Sequence, residues 1–320
     1  MNAAESAIEA AGLGRDYGST PALRALDLSV PRGAMVGILG PNGAGKTTAM
    51  LLLATLLAPS RGVARVFGHD TSRERAAVRR RLGLVFQEPS VDGLLTPREN
   101  LRFAAGLMGL GGAVARAAVE DALTRTGLVE QASRPARQLS GGWRRLTDIA
   151  RATVHRPDLL ILDEPTVGLD PEHRDRMWSL LDAERRDRGV TILFSTHYLA
   201  EAETCDRVLM LARGEVVAAD APSALMAGVG DQVVEVEGPD ADLAAAALQR
   251  AATVRMSIRT ERGYRLGVVG AHDGIGAVLG AAPRVTRLDV RRATLEDVYF
   301  AKTLPRDVTM PRHAPDGRST

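Results

Sequence analysis

Cysteine, lysine and long apolar runs are scarce in this sequence, and each shortage excludes a class of protein. Cys205 is the only cysteine among 320 residues, which excludes an intramolecular disulfide framework and suits a reducing compartment. Of the 41 basic residues, only Lys46 and Lys302 are lysines. The formal net charge is +2 and the arginines are scattered along the chain, so we expect no basic face and no nucleic-acid partner.

Apolar runs are all shorter than the roughly 18 consecutive residues that a membrane-spanning helix needs. The most apolar run, residues 49–58, directly follows a glycine-rich motif, and the pattern predicts a helix that begins after that motif. The N-terminus lacks a basic stretch followed by an apolar one, so no signal peptide is expected. We therefore expect a soluble chain that reaches a membrane only through a partner.

Residues Gly40–Thr47 read Gly-Pro-Asn-Gly-Ala-Gly-Lys-Thr, which fits the phosphate-loop pattern G-x-x-x-x-G-K-[ST]. The apolar run Met35–Leu39 predicts the buried strand that feeds such a loop. The glycines let backbone N–H groups converge on a β-phosphate, at the positive end of a helix. We expect Lys46 to bridge the β- and γ-phosphates, the Thr47 hydroxyl to bind Mg²⁺, and Thr48 to contact the α-phosphate. A glycine-rich turn without a ligand is the alternative interpretation.

A second apolar run, Leu159–Leu162, ends in Asp163 and Glu164. Carboxylates at the end of a parallel strand protrude at the sheet edge where nucleotides bind. We expect Asp163 to hold Mg²⁺, directly or through water, and Glu164 to polarise the attacking water as a general base. Viewed alone, the pair would also fit an acidic strand end before a proline turn.

The tetrapeptide Leu139-Ser140-Gly141-Gly142 lies between these two motifs. Small residues just before a helix expose N–H groups and a hydroxyl, which together form an anion site. By itself the tetrapeptide would also fit an ordinary helix N-cap with flexible glycines. In this order, the three motifs resemble the nucleotide-binding domain of the ATP-binding-cassette (ABC) family, and the resemblance covers residues 5 to about 225.

The resemblance implies roles for four further residues. Gln87, after the predicted strand Leu82–Phe86, matches a glutamine that touches Mg²⁺ and the attacking water. His197 matches a histidine that contacts the γ-phosphate, and Tyr17 matches an aromatic residue that stacks on adenine. Asp170 matches the D-loop, which crosses to the opposite subunit. Outside this context, an isolated glutamine is usually a loop residue and an isolated histidine is more often structural. For Tyr17, the alternative is a turn tyrosine that packs on the sheet.

In this family, the tetrapeptide (the signature) caps the γ-phosphate held by a second subunit. One chain with one phosphate loop and one signature therefore implies a head-to-tail homodimer with two composite sites. The sequence departs from the family at two places, since Trp143 stands where glutamine is commonest and Leu146 replaces a usual arginine. These departures leave the hydrolysis rate and the interface contacts open.

The expected site thus involves ATP and Mg²⁺. For the nucleotide we expect Tyr17, Gly40, Pro41, Asn42, Gly43, Ala44, Gly45, Lys46, Thr47, Thr48, Ser140, Gly141, Gly142 and Asp170; for the metal, Thr47, Gln87 and Asp163; for catalysis, Glu164, His197 and Gln87.

The expected fold is α/β, a phosphate-loop NTPase of the ABC-cassette type. We predict a mixed sheet core, an antiparallel β subdomain and a helical subdomain at about 88–155, all within residues 5–228. Beyond residue 228, the order strand, helix, strand, strand, helix, strand predicts a small ferredoxin-like α+β domain at 229–304. Residues 305–320 are rich in proline, arginine and aspartate and are predicted to be disordered.

The terminal segment 293–299, Ala-Thr-Leu-Glu-Asp-Val-Tyr, resembles that of ATPases serving type-2 exporters, including those of the daunorubicin-resistance kind. The resemblance implies a separate multi-span permease, a place at the cytoplasmic face of the membrane, and export of a drug, antibiotic or lipid-like substrate rather than import. Two other functions stay open, a soluble ABC ATPase acting on ribosomes or nucleic acid and a regulatory ATP-binding module without transport.

Overall fold

The structure, a computed structural model, describes residues 6–304 and gives only the backbone for 271–274. The predicted disordered tail, 305–320, lies outside the described residues. The chain divides into two compact units, the first ending at Val216 and the second beginning at Val217. The domain ranges predicted from the sequence, 5–228 and 229–304, stay predictions.

The elements of the first unit alternate between strands and helices. The strands are β1 (Ser6–Tyr17), β2 (Thr20–Pro31), β3 (Met35–Leu39), β4 (Arg61–Val66), β5 (His69–Asp70), β6 (Leu82–Val85), β7 (Leu159–Asp163), β8 (Thr191–Thr196), β9 (Arg207–Ala212) and β10 (Glu215–Asp220), the last of which crosses the division between the units. The helices are α1 (Lys46–Leu53), α2 (Arg75–Arg80), α3 (Pro97–Leu107), α4 (Gly112–Arg125), α5 (Gly141–Thr153), α6 (Pro171–Arg188) and α7 (Leu199–Ala202).

Within residues 6–304 these strands form one mixed sheet in the order β5-β4-β1-β2-β10-β9-β3-β8-β7-β6. The end containing β5, β4, β1 and β2 is antiparallel, whereas β9, β3, β8, β7 and β6 run parallel. Every residue of β3, β7 and β8 is buried, as expected of parallel strands covered on both faces. The predicted mixed core and antiparallel β part are confirmed.

Helices α3, α4 and α5 lie between β6 and β7 in the sequence and pack on one another, which gives the predicted helical subdomain. Thr96 starts α3 with a capping box, since its side chain accepts from the Glu99 N–H while Glu99 accepts from the Thr96 N–H. Such reciprocal bonds satisfy N–H groups that a helix start otherwise leaves unpaired.

Helix α1 is shorter than the apolar run at 49–58 predicted. It ends at Leu53, and Thr55 has a left-handed backbone with φ 66°. The N–H groups of Leu56 and Leu57 both donate to the Leu51 carbonyl, which closes the helix in a tight turn. Apolar periodicity does not distinguish helix from a buried turn of this kind.

The second unit contains α8 (Pro222–Val229), β11 (Gln232–Glu237), α9 (Ala241–Ala251), β12 (Thr253–Thr260), β13 (Gly263–Val269), α10 (Ala271–Ala281), β14 (Arg287–Arg292) and α11 (Leu295–Thr303). Its strands form an antiparallel sheet in the order β12-β13-β11-β14. This is the ferredoxin-like arrangement expected from the element order. No helix within residues 6–304 combines the length and apolar character that crossing a membrane needs.

The strand predicted at 285–290 lies two residues later, at Arg287–Arg292. Val285 forms a turn, because its N–H donates to the Ala282 carbonyl, and Thr286 donates to Glu237. Pairing with β11 then begins at Arg287 opposite Glu237. Apolar character indicated that a strand lies here but did not fix the residue at which it begins.

A partly buried charge cluster, formed by Glu235, Arg265, Arg291 and Asp297, joins α11 to the sheet of the second unit. Asp297 is fully buried and accepts from Arg291 at 2.7 and 2.8 Å and from the Thr294 N–H at 2.9 Å. Glu235 pairs with both arginines, at 2.9 and 3.1 Å. Burial alone raises the pKa of Asp297, but the bonds from Arg291 and Thr294 outweigh burial and hold that pKa below its usual 3.8.

Replacing Asp297 by Asn is therefore expected to lower the free energy of unfolding at pH 7 by about 1–3 kcal/mol, because two partly buried guanidinium groups each lose one of their two carboxylate partners. A carboxylate with a lowered folded-state pKa contributes stability above its unfolded pKa and loses it as the pH falls through the folded value. The wild-type advantage should thus disappear in acid below about pH 4. Urea unfolding followed by circular dichroism measures it, with Asp289→Asn as the exposed control.

Candidate functional site

The carboxyl ends of the central strands meet at one edge of the sheet. In the parallel register Leu39 of β3 lies opposite Thr196 of β8, and Ser195 lies opposite Asp163 of β7. Leu162 of β7 lies opposite Val85 of β6. The segments that follow these strands therefore emerge side by side. The phosphate loop, Gln87, the pair Asp163 and Glu164, and His197 each follow or end one of these strands, so all four lie at the same edge.

Two glycines of the phosphate loop have no room for a side chain. Gly40 has φ 155°, and a Cβ there would lie 2.4 Å from the Leu211 carbonyl oxygen. Gly45 has φ 104°, and a Cβ would lie 2.7 Å from the Ala22 carbonyl oxygen. Only glycine tolerates such conformations and contacts without strain. α1 begins directly after Gly45, so its unpaired N–H groups face the loop.

The phosphate loop surrounds a cavity of about 370 Å³. Its lining contains most of the predicted nucleotide ligands together with Gln87, Glu164 and one residue that the sequence did not suggest, Ala22. The lining residues are Ala22, Pro41, Asn42, Gly43, Ala44, Gly45, Lys46, Thr47, Thr48, Gln87 and Glu164.

Asp163 sits beside this cavity and holds two hydroxyl groups. The Thr47 hydroxyl donates to one carboxylate oxygen at 2.8 Å, and the Ser195 hydroxyl donates to the other at 2.5 Å. Ser195 also accepts from the Glu164 N–H at 2.9 Å. The buried Ser195 hydroxyl thus fixes both acidic residues, and its register opposite Asp163 is the signal that could have identified it.

The Glu164 carboxylate collects three of the other predicted side chains. The Lys46 ammonium lies 3.3 Å from Oε1, while Gln87 Nε2 and His197 Nδ1 lie 3.4 and 3.3 Å from Oε2. Glu164 is buried, and its φ of 46° is unusual for a residue other than glycine. A strained backbone of this kind is most often kept where it serves a function.

Other predicted residues do not line the cavity. Tyr17 is 49% exposed at the end of β1, with the Arg15 guanidinium 5.2 Å from its ring centre. Ser140 is the N-cap of α5, where it accepts from the Trp143 N–H, and Asp170 is the N-cap of α6, where it accepts from the His173 N–H. Among the described residues, the signature is therefore separate from the phosphate loop of its own chain.

His173 is a residue that the sequence did not suggest, and it links the signature to the D-loop. Its Nδ1 lies 2.8 Å from Asp170, and the backbone bond from His173 is the largest cause of a lowered pKa at Asp170. The His173 ring stands edge-on to Trp143 at 5.1 Å. A Cβ on Gly142 would lie 2.3 Å from the same ring. The contacts of His173 with Trp143 and Gly142 form because α5 packs against α6.

Arg145 and Leu146, which follow the signature, are both fully inside the unit. Arg145 donates to the carbonyl groups of Phe86, Gln87, Glu164 and Pro165. The sequence pattern suggested no role for this arginine, because its contacts depend on the packing of α5 against the loops after β6 and β7.

A phosphate loop, an acidic strand end, a glutamine and a histidine gathered at one sheet edge define an ATPase of the phosphate-loop class. The profile described as ABC transporter matches residues 23–167. The chain belongs to the ABC transporter family and is an ATP-binding, ATP-hydrolysing subunit that drives transport. The alternative of a ribosome- or nucleic-acid-directed ATPase has no support in these similarities.

Two curated relatives and two solved structures illustrate the similarity. The daunorubicin/doxorubicin resistance ATP-binding protein DrrA of Streptomyces peucetius is 39% identical over 98% of this chain and 95% of its own. The Nod factor export ATP-binding protein I of Paraburkholderia xenovorans is 40% identical over 74% of this chain and 78% of its own. The structure of cbiO1 from Clostridium perfringens, part of the ABC transporter complex cbiONQ, has a TM-score of 0.65 at 31% identity and covers 70% of this chain and 91% of its own. The dimeric cassette MJ0796 bound to ADP and Pi has a TM-score of 0.62 at 27% identity and covers 67% and 98%.

Replacing Gly142 by Ala is expected to displace the His173 ring and lower the free energy of unfolding by about 1–3 kcal/mol, because a methyl group is forced into a packed contact. Gly141→Ala is the matched control, since a Cβ there meets nothing within 4 Å. Denaturant unfolding and tryptophan fluorescence in the absence of nucleotide measure both effects. Equal stability of the two variants would contradict the described contact.

Proposed function

We propose that this chain is the ATPase subunit of an exporter, that it works as a head-to-tail homodimer, and that it drives a separate membrane permease. The single observation that carries the proposal is the convergence of Lys46, Gln87 and His197 on the Glu164 carboxylate. In this arrangement the buried Glu164 carboxylate lies within 3.4 Å of all three side chains. Lys46 is the proposed phosphate ligand, Gln87 would orient the attacking water, and His197 would contact the γ-phosphate.

The phosphates of ATP fit the cavity formed by the phosphate loop. Lys46 Nζ lies 2.7 Å from the Gly40 carbonyl, so its ammonium faces the loop interior, where the β- and γ-phosphates would bind. Asn42, Gly43 and Gly45 contribute backbone around the phosphates, and Thr48 follows at the first turn of α1. Tyr17 presents an exposed aromatic face, which suits stacking on adenine.

Thr47 and Asp163 suit a magnesium ion. Their oxygens lie 2.8 Å apart, close to the roughly 2.9 Å that separates neighbouring ligands of an octahedral ion with bonds of about 2.0–2.1 Å. Both are hard oxygen donors, which Mg²⁺ prefers. Gln87 would complete the protein ligands. When bound, the ion would neutralise charge that develops on the β- and γ-phosphates.

Glu164 is the proposed general base. Its carboxylate would accept a proton from the attacking water. Gln87, whose Nε2 lies 3.4 Å from Glu164 Oε2, would orient that water. Lys46 draws negative charge away from the transferred phosphoryl group, and His197 contacts the γ-phosphate. Ser195 holds the Glu164 N–H at 2.9 Å, which keeps the strained backbone in place through the reaction.

The signature would serve a second chain. Ser140, Gly141 and Gly142 begin α5 with unpaired N–H groups and do not line the cavity of their own chain. A second copy placed head to tail would bring this anion site to the γ-phosphate held by Lys46. Asp170 would cross the same interface. The dimeric form of the similar cassette MJ0796 supports this arrangement.

The permease is proposed to dock in an apolar groove of about 450 Å³ beside the helical subdomain. Leu56, Phe103, Leu107 and Met108 line it and are 42–72% exposed. Phe86, directly before Gln87, also lines the groove, so the docking surface is continuous with the catalytic loop. A short amphipathic helix on the cytoplasmic side of a multi-span permease fits such a groove. This chain would thus lie at the cytoplasmic face of the membrane.

Export of a drug, antibiotic or lipid-like compound is the proposed direction and class of cargo. DrrA resembles the chain over nearly its whole length, and that protein is named for daunorubicin and doxorubicin resistance. The similarity extends through the second unit, whereas the Nod factor export relative covers 74% of the chain. Reconstitution with the membrane protein encoded by the neighbouring reading frame, with vesicle loading of daunorubicin as the first probe, tests the assignment.

Replacing Glu164 by Gln is expected to reduce ATP turnover by about 100-fold or more, because general-base catalysis contributes factors of that size. The same variant should bind ATP and accumulate as a dimer, since glutamine keeps the shape but cannot accept the proton. Phosphate release and size-exclusion chromatography with and without ATP measure the two effects. Unimpaired turnover would overturn the assigned role.

Replacing Leu107 by Glu is expected to abolish co-purification with the permease, because a charge would be placed in the apolar groove. The side chain is 72% exposed, so folding should be unaffected. Val114→Glu, at a 63% exposed position outside the groove, is the matched control and should co-purify as the wild type does. Equal loss in both variants, or in neither, would contradict docking at this groove.

A further inference from the structure

Arg145 is a buried cation without a close carboxylate partner. Its side chain is 2% exposed, and the nearest acidic oxygen, on Asp148, is 3.8 Å away. Four backbone carbonyl groups accept its hydrogen bonds instead. These are Phe86 at 2.5 Å and Gln87 at 3.0 Å, after β6, and Glu164 at 2.9 Å and Pro165 at 2.8 Å, after β7.

The guanidinium group suits this bridging and few other side chains could perform it. It carries five N–H donors in a rigid plane, and here four carbonyl groups from two separate loops accept hydrogen bonds from it. Burial lowers the pKa of Arg145, with Asp148 and Asp163 acting in the opposite direction. A buried cation is costly, and packing alone is better served by an apolar side chain. The contacts therefore indicate a role beyond filling space.

Helix α5 makes a second attachment to the loop after β6, through Asp148. Asp148, one turn after Arg145, is fully buried and accepts from the Ser90 hydroxyl at 3.1 Å and from Arg151 at 2.9 Å. Residues 86–90 are thus attached to α5 through both Arg145 and Asp148. Since α5 begins at the signature, movement of Ser140 would carry Gln87 with it.

The bond to Glu164 bears on the proposed base itself. The Glu164 backbone is left-handed, with its N–H held by Ser195 and its carbonyl held by Arg145. Without the bond from Arg145, the strained residue is free to relax to a more favourable φ and to move its carboxylate. A displacement of about 1 Å in a catalytic group can cost on the order of 100-fold in rate.

We propose that Arg145 is a positioning residue that couples the signature helix of one subunit to Gln87 and Glu164 of the same subunit. Engagement of Ser140 at the nucleotide of the partner chain then sets the groups that act on the chain's own nucleotide. This inference rests on the proposed roles of Glu164 and the signature. It adds a path within one chain by which the two composite sites influence each other.

The test compares Arg145→Met and Arg145→Lys with Arg144→Met and Arg144→Lys, which alter the neighbouring, exposed arginine. For Arg145→Met we expect kcat to fall on the order of 100-fold, while KM and the affinity for a fluorescent ATP analogue change by less than about threefold, because the phosphate loop is untouched. Arg145→Lys should be intermediate, since a compact ammonium cannot span both loops. The Arg144 variants should match the wild type.

A double-mutant cycle with Gln87→Ala separates positioning from general stability. If Arg145 acts through this loop, kcat of the double variant falls no further than that of the more impaired single variant. Multiplicative losses, a joint loss of nucleotide affinity and kcat in both Arg145 variants, or wild-type kcat in Arg145→Met would each overturn the inference. Failure of the proposed function is distinguishable, because it would appear as unimpaired turnover in Glu164→Gln with Arg145 intact.

Discussion

The parallel register of β3, β8 and β7 is the constraint on which the rest of the site depends. All three strands are buried on both faces, and a shift of one residue would move every side chain of a strand to the opposite face of the sheet. With the register set, Ser195 lies opposite Asp163, and the phosphate loop follows directly after β3. The motifs are distant in sequence and meet only because these strands end together.

Electrostatics at this edge are concentrated on a few buried groups. Lys46 and Glu164 are 5% and 8% exposed in their side chains and lie 3.3 Å apart. A buried ion pair adds little net stability by itself, because desolvation offsets the attraction. The pair is better explained by the proposed chemistry, in which both charges would exchange partners with phosphate and water. Cys205 differs in this respect, since burial raises the pKa of its thiol to about 12 and leaves it unreactive.

The sequence predicted the fold class and the members of the phosphate loop because local patterns determine them, namely apolar runs that end in glycine or in carboxylates. It did not predict the contacts of Arg145, His173 or Ser195, because each depends on packing between elements distant in the chain. It also placed the end of α1 too late and β14 too early, since apolar character does not fix the residue at which a helix ends or a strand begins. The sequence pattern therefore predicted where the motifs lie along the chain, whereas the side-chain contacts between distant elements followed only from the tertiary structure.

The signature is separate from the phosphate-loop cavity of its own chain, and this separation is the reason the proposed site needs two chains. Ser140 and Gly142 offer donors at a helix start, yet the phosphate loop that needs them lies elsewhere among the described residues. In the proposed dimer, a site split in this way would make nucleotide binding and association of two chains the same event, because each ligand would complete its coordination only from the neighbour. The proposed link between signature and base through Arg145 would then let one nucleotide respond to the other. The proposed docking groove is lined by Phe86, and the next residue, Gln87, lines the phosphate-loop cavity. In the proposed transporter, a change at the nucleotide would therefore reach the permease through this one loop.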